Sequence, residues 1–187
     1  PKQAKGVVKR EVVQLITPGT IMDGKSIDSK TNHFLAAAEK LSDNELAFVY
    51  LDVSTGEANA QMLEGGAKEC IQQLQSLNIR EVIVTQELQL EMTEMAETAG
   101  IVLSLEQEEM DMHKASVYIE QLPDALKSIA CRLLQYIERT QMRSLSHLQA
   151  FTFTETKQYL RIDTNSKRNL ELIQSIRGGD QKGTLLW

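Results

Sequence analysis

Two hydrophobic rhythms alternate along this chain. Short runs are apolar almost throughout, and longer stretches return an apolar residue every third or fourth position. The first rhythm marks strands and the second marks helices packed along one stripe. Val12, Val13, Leu15 and Ile16 lie in a β-type stretch, Lys9–Thr17, closed by the turn pair Pro18-Gly19. Residues 18–32 are rich in Gly, Asp, Ser and Thr and read as a loop or linker. His33–Ala38 is expected as the next strand, although its alanines would also suit a helix. Ala47–Val53 is nearly continuously apolar, which implies burial on both faces of a sheet. The segment Asp52–Gly56 reads as a turn, so Glu57–Leu63 should return antiparallel as a hairpin.

Helical spacing begins at Gly65-Gly66, where Cys70, Ile71, Leu74 and Leu77 form one apolar stripe and predict a helix through Leu77. Glu81–Thr85 is expected as a short buried strand. Leu88–Ala99 follows as a helix rich in Met and Glu, stopped by Gly100, and Ile101–Leu105 as another strand. Strand–helix–strand–helix–strand requires parallel crossovers. Placed after an antiparallel hairpin, such units give a mixed α/β sheet with helices on its faces. Met110–Gln121 predicts a short helix ending near Pro123. The clearest helix is Asp124–Arg139, with Leu126, Ile129, Ala130, Leu133, Leu134 and Ile137 on one side and Pro123-Asp124 as its start signal. Residues 144–158 hold a Ser-rich turn and the β-leaning FTFTETK, continued by Tyr159–Ile162. Thr164–Ile176 predicts a final helix, capped by Asp163 or Thr164 and ended by Gly178-Gly179.

Composition narrows the function. Apolar residues make up 42% of the chain, enough for a core. The net charge is −6, so the chain by itself should grip DNA poorly, because affinity for the backbone comes from neutralising phosphates. Lys167–Arg168 and Arg139–Arg143 are local basic exceptions. Cys70 and Cys131 stand far apart in apolar helical contexts and read as buried free thiols of a reducing compartment. No signal-peptide pattern and no apolar run of about 18 residues is seen, so no membrane span is expected.

Three motifs carry a family resemblance. They are VVQLITPGT at Val12–Thr20, LLQYIERTQ at Leu133–Gln141, and the closing stretch YLRIDTNSKRNLELIQSIRGGDQKGTLLW at Tyr159–Trp187. Their order and rough spacing resemble the MutS family of DNA mismatch-repair proteins. The resemblance implies a piece of a longer protein, in which 1–20 is the end of the mismatch-recognition domain and its linker. On the same basis, 21–143 is an RNase-H-like connector, and 144–187 is the start of a truncated, mostly helical core domain. It also implies a cytoplasmic, homodimeric, DNA-binding parent that uses ATP and Mg, clamps mismatched DNA and recruits a MutL-type partner. The connector would relay nucleotide state between the two ends and offer a surface to that partner. The link Gln121–Asp124 looks shorter than is usual in the family. The apolar face Leu170, Leu172, Ile173 and Ile176, like Leu185-Leu186-Trp187, would belong to the missing core domain. Residues 144–187 should therefore be less stable than 33–141. Neither the family's Phe-x-Glu mismatch-reading wedge nor a P-loop is found in this reading, so the piece links those centres without containing them.

No catalytic, cofactor-binding or metal-binding residue is assigned. Asp52 is the sharpest candidate, because nucleases of RNase-H-like fold hold metal on strand-end carboxylates. Glu57 lies a turn away, and Asp124 and Glu138 would have to complete the set, although nothing in their spacing demands it. An Asp before Ser-Thr-Gly is also an ordinary turn former. His33, His113 and His147 show no ligand spacing for zinc. Gly65-Gly66 and Gly178-Gly179 with Gly183 match no phosphate-binding pattern and read as helix ends. Met92, Met95, Met110 and Met112 suggest core or an adaptable docking surface. Glu106–Glu109 with Asp111 reads as a solvated acidic face. Against the connector stand two rivals, a metal-dependent nuclease using Asp52 and a freestanding interaction module.

Overall fold

The computed structural model describes residue 17, residues 33–141 and 145–155, and residues 166, 169–172 and 184–185. Among these, six strands form one mixed sheet. They are β1 (Phe34–Ser42), β2 (Glu45–Asp52), β3 (Ala58–Glu64), β4 (Glu81–Val84), β5 (Val102–Leu105) and β6 (Thr152–Phe153). Their order across the sheet is β5-β4-β1-β2-β3-β6. β2 pairs antiparallel with β1 and β3, while β4 pairs parallel with β1, β5 with β4, and β6 with β3. This is the mixed, RNase-H-like α/β arrangement expected. The first strand is indeed a strand, and it runs on through Ser42 because a tight turn at Asp43-Asn44 returns it directly into β2.

The central strands are apolar throughout because both faces are covered. In β1, Leu35 and Ala37 enter one core, while Ala36 and Ala38 enter the other. Strand geometry sends alternate side chains to opposite faces, so an unbroken apolar run is what such a strand needs. Helices α1 (Ala67–Ser76) and α2 (Gln86–Ala99) cover the second face through Cys70, Ile71, Leu74, Leu88, Met92 and Ala96. The first face is covered by α3 (Met112–Ile119) and α4 (Asp124–Gln141) through Ala115, Ile119, Leu126, Ile129, Ala130, Leu133, Leu134 and Ile137.

Local signals set the ends of these helices. Glu69 Oε2 accepts from the Gly66 amide at 3.0 Å where α1 starts. Thr85 Oγ1 caps α2 by accepting from the Leu88 amide at 3.4 Å, and Gly100 ends it in the left-handed region at φ 68°. Asp111 Oδ1 caps α3 by accepting from the amides of His113 and Lys114 at 2.9 and 3.3 Å.

Residues 145–153 lie past the expected connector boundary at 143, yet they pack on the sheet. Leu145, Leu148 and Phe151 join the α3/α4 core, and the Phe151 amide donates to the Tyr118 carbonyl at 2.8 Å. The β-leaning FTFTETK supplies only the two residues of β6, paired with β3 at Asn59 and Ala60. The expected elements Lys9–Thr17, Tyr159–Ile162 and Thr164–Ile176, and with them the C-terminal extension, fall outside the described residues apart from isolated positions. No helix among the described residues is long and apolar enough to cross a membrane.

Candidate functional site

The turn after β2 decides what Asp52 can do. Asp52 is 1% exposed, and its Oδ1 accepts from the Ser54 amide at 2.8 Å, the Ser54 hydroxyl at 2.6 Å and the Thr55 amide at 3.4 Å. Burial alone would push its carboxyl up. The Ser54 hydroxyl, with the backbones of Ser54, Thr55 and His33, outweighs that and holds it below the usual carboxylate range. The carboxylate is thus employed in closing a turn. Glu57 accepts from Asn59 Nδ2 at 3.3 Å. Asp124, with an almost fully exposed side chain, pairs with Lys127 at 2.7 Å, and Glu138 pairs with Lys114 at 2.6 Å. Asp124 and Glu138 sit at opposite ends of α4, roughly 20 Å apart along its axis at ~1.5 Å per residue. Among the described residues, no group of three His, Cys, Asp or Glu side chains is placed to hold a metal ion.

The same turn receives the segment that follows α4. Gly56 stands at φ 79°, and a Cβ there would meet the His147 carbonyl oxygen at 2.2 Å. The Gln149 amide donates to the Gly56 carbonyl at 2.8 Å, and His147 Nε2 lies 3.2 Å from the Val53 carbonyl oxygen. His147 is therefore a local fastening. The letters Phe-x-Glu do occur in the chain, at Phe153-Thr154-Glu155, contrary to the reading that found none. Phe153 packs against the α3/α4 core, and the Thr154 amide bonds the Ala60 carbonyl at 2.9 Å, so this tripeptide is the end of a sheet strand.

The α3/α4 face carries a band of polar contacts. Glu81 opens β4 fully buried, and its Oε1 accepts from Tyr136 Oη at 2.6 Å and Ser104 Oγ at 2.7 Å. Arg139, one turn beyond Tyr136 on α4, donates to Glu106 Oε2 from Nε at 2.9 Å and Nη2 at 2.8 Å. Its guanidinium carbon also lies 5.5 Å from the centre of the Tyr136 ring. Arg132 Nη2 and Ser128 Oγ both donate to Glu109 Oε1 at 2.8 Å. Within the acidic run, Glu106 is buried against Arg139, while Glu108, Glu109 and Asp111 are exposed as a solvated face would be; of these, Glu109 also braces α4 and Asp111 caps α3. Arg139 is likewise spent on Glu106 and is not free to form a basic patch; Arg143, Lys167 and Arg168 lie outside the described residues. Sequence reading missed Glu81 and Tyr136. The signal available was a single Glu opening the otherwise apolar strand EVIV.

The remaining candidates separate. Met92 is buried and Met95 half-buried in the α1/α2 core, whereas Met110 is buried in the other core and Met112 is exposed. The four methionines therefore form no common surface. Beside Met95 an open cleft of about 470 Å³ lies between α1 and α2, lined by Lys68, Ile71, Gln75 and Glu94 among others. Cys70 and Cys131 are buried free thiols, and burial pushes Cys70 up to about 12. Cys131 is raised too, by burial and then by the nearby Glu109 and Asp111.

Comparison with known proteins follows this geometry closely. The model of the family described as MutS domain II matches residues 33–149. A DNA mismatch repair protein MutS of Lysinibacillus sphaericus is 65% identical over 187 residues, covering 100% of this chain and 22% of that protein. One from Bacillus subtilis is 42% identical over 188 residues, with 100% and 22% covered. One from Bacillus cytotoxicus is 39% identical over 189 residues, with 100% and 21% covered. The chain thus spans about a fifth of the length of these relatives.

Proposed function

This chain belongs to the MutS family, in which it forms domain II, and we propose that it acts there as a non-catalytic connector. It links mismatch recognition to the ATPase and offers a surface to a MutL-type partner. On this reading, 1–20 closes the recognition domain and the core domain opens after the sheet strand Thr152–Phe153, later than the boundary at 143 that the sequence suggested, while ATP and Mg are held elsewhere in a cytoplasmic, homodimeric parent. Mismatched DNA is likewise engaged through the whole protein.

The observation that carries this reading is the fate of Asp52. Its carboxylate is taken up by three donors of its own turn. A relay needs a body that moves as a unit. Two helical layers supply one, each sealed on a shared sheet, and the α4 layer is further fastened by Tyr136, Arg139 and Arg132.

The test is cleavage of duplex, hybrid and branched nucleic acid with Mg²⁺ or Mn²⁺, together with binding of matched and mismatched duplex at physiological salt. The expected result is no cleavage and equally weak binding, because the charge is −6. Cleavage that disappears in Asp52→Asn would replace the connector by the nuclease. Sub-micromolar affinity or a mismatch preference would overturn the electrostatic argument. Binding of a MutL-type protein to the isolated chain is the positive test of the partner surface.

A further inference from the structure

We propose that β5, the open edge of the sheet, is a docking strand for a short extended segment of a partner protein. The segment is uncharged and β-branched in its middle, basic at the end beside Leu105 and acidic at the end beside Val102. The edge belongs to the sheet whatever the domain relays.

The two edges of the sheet are finished differently. The outer side of β3 is met by β6 at Asn59 and Ala60, and the Thr154 amide adds a bond to the Ala60 carbonyl. β5 ends the sheet on the other side, with β4 as its one strand neighbour among the described residues. The Val102 amide donates to the Arg80 carbonyl at 2.8 Å. Successive backbone groups of a strand point to opposite sides, so Val102 and Ser104 are turned to β4, and the amides and carbonyls of Leu103 and Leu105 face outward. Side chains alternate too. Val102 lies with Ser104 on the α3/α4 side, and Leu105 lies with Leu103 on the α1/α2 side. Val102 and Leu105 are each 42% exposed, so both faces of the edge offer an apolar side chain beside the outward backbone groups. Sheet edges are usually blunted by Lys, Pro or a bulge. The sequence VLSL has neither residue, and its register with β4 is unbroken.

Outward N–H and C=O groups at strand spacing are satisfied by another extended backbone. Four residues span ~13 Å, and pairing over that length buries far less than the roughly 1,200 Å² of a stable interface between two folded proteins. A second copy would also bring another charge of −6 to the edge. A short segment that binds reversibly is what this edge can hold. Antiparallel pairing is the more stable kind, so the segment starts beside Leu105 and ends beside Val102. Glu108, exposed just past Leu105, favours Lys or Arg at its start, and the exposed Arg80 beside Val102 favours Asp or Glu at its end.

The experiment titrates the complete 187-residue chain with the capped peptide Lys-Val-Thr-Val-Thr-Glu and follows backbone amides by NMR. Before peptide is added, the Leu103 and Leu105 amides should exchange with solvent faster than those of Val102 and Ser104. Peptide at millimolar concentration should shift Leu103 and Leu105 most. Leu105→Pro deletes one outward amide and no bond to β4, and should weaken binding about five-fold, the loss of one ordinary hydrogen bond; Leu105→Thr should bind like wild type. Urea midpoints check that Leu105→Pro still folds. Should it not, peptide N-methylated on the amides that face β5 makes the same test on the wild-type chain, where it should fail to bind. Protected Leu103 and Leu105 amides in the free monomer would mean that the edge is already covered, and overturn the proposal. So would shifts confined to other surfaces, equal binding of N-methylated or charge-swapped peptide, or self-association of the chain through β5.

Discussion

The two faces of the sheet are covered by two helices each, but they are held differently. The α1/α2 face is sealed by apolar side chains. Strand pairing places Gln61 opposite Phe48 on that side as its buried polar residue, with Nε2 lacking a partner among the described residues. Its charged contacts lie at the rim, where Lys40 meets Glu91 at 3.0 Å. The α3/α4 face has an equally apolar centre, but along it run Glu81–Tyr136, Glu106–Arg139 and Glu109–Arg132. It also takes in Leu145, Leu148 and Phe151 from the chain that leaves α4. Apolar burial supplies adhesion without direction, whereas hydrogen bonds between named partners also set orientation. The α3/α4 face is therefore the one whose orientation is specified by named polar partners.

The largest test of this contrast is to remove one ring from each face. Phe48→Ala and Phe151→Ala should each cost about 3–5 kcal/mol in urea unfolding, since both rings are essentially fully buried. Equal losses in one cooperative transition would show that residues 145–153 are as much a part of the fold as β2. A much smaller loss for Phe151→Ala, or a separate early transition, would confine the fold to residues before 142.

Gly56→Ala attacks the fastening alone. A left-handed alanine costs ~1–2 kcal/mol before any clash, and here the new methyl also meets backbone. The variant should lose at least that much, with amide exchange rising at Gln149 more than in α1 or α2. Arg139→Met removes the guanidinium that lies over the Tyr136 ring and leaves Glu106, whose side chain is 6% exposed, without its arginine donor. The expected loss is ~1–3 kcal/mol. It should be reduced further when Glu106→Gln is added, because the stranded charge is then gone.

How much of this was legible follows from how local each signal is. The strands β1 to β4 and the helices α1, α2 and α4 were readable because their periodicity lies within ten or so consecutive residues. Helix α3 is trimmed at both ends: its Asp111 cap makes Met110 a core residue ahead of the helix, and Glu120 closes it before Gln121. The turn at Asp52 was readable because Asp-Val-Ser-Thr-Gly carries its own acceptor and donors. Glu81, Ser104 and Tyr136 were not readable, because their partners lie 23 and 55 positions apart in the chain. For the same reason Phe151 looked like the opening of another domain, and Glu106 looked solvated until Arg139 was placed beside it. A methionine cluster close in sequence divides between two cores, since sequence proximity does not say on which side of a sheet a helix packs.

The finest test concerns Asp52, which belongs to neither helical layer but closes the turn on which residues 147–149 are fastened. Its folded-state carboxyl is held below the usual range, net of burial, by the Ser54 hydroxyl and the turn amides. A depressed carboxyl contributes stability that is fully present above its unfolded value, near 3.9, and is lost as pH falls through its lower folded value. Wild-type chain should therefore lose this contribution only below about pH 4, and the variant Asp52→Asn should lack that part of the acid loss. Asparagine keeps an acceptor oxygen for Ser54 and Thr55, so the turn should survive and the difference at neutral pH should be the smallest of the series. Urea midpoints from pH 2.5 to 7 check it. Parallel acid profiles for wild type and Asp52→Asn would mean that the carboxylate charge plays no part in the turn. The strand-end acid would then again be open to another role.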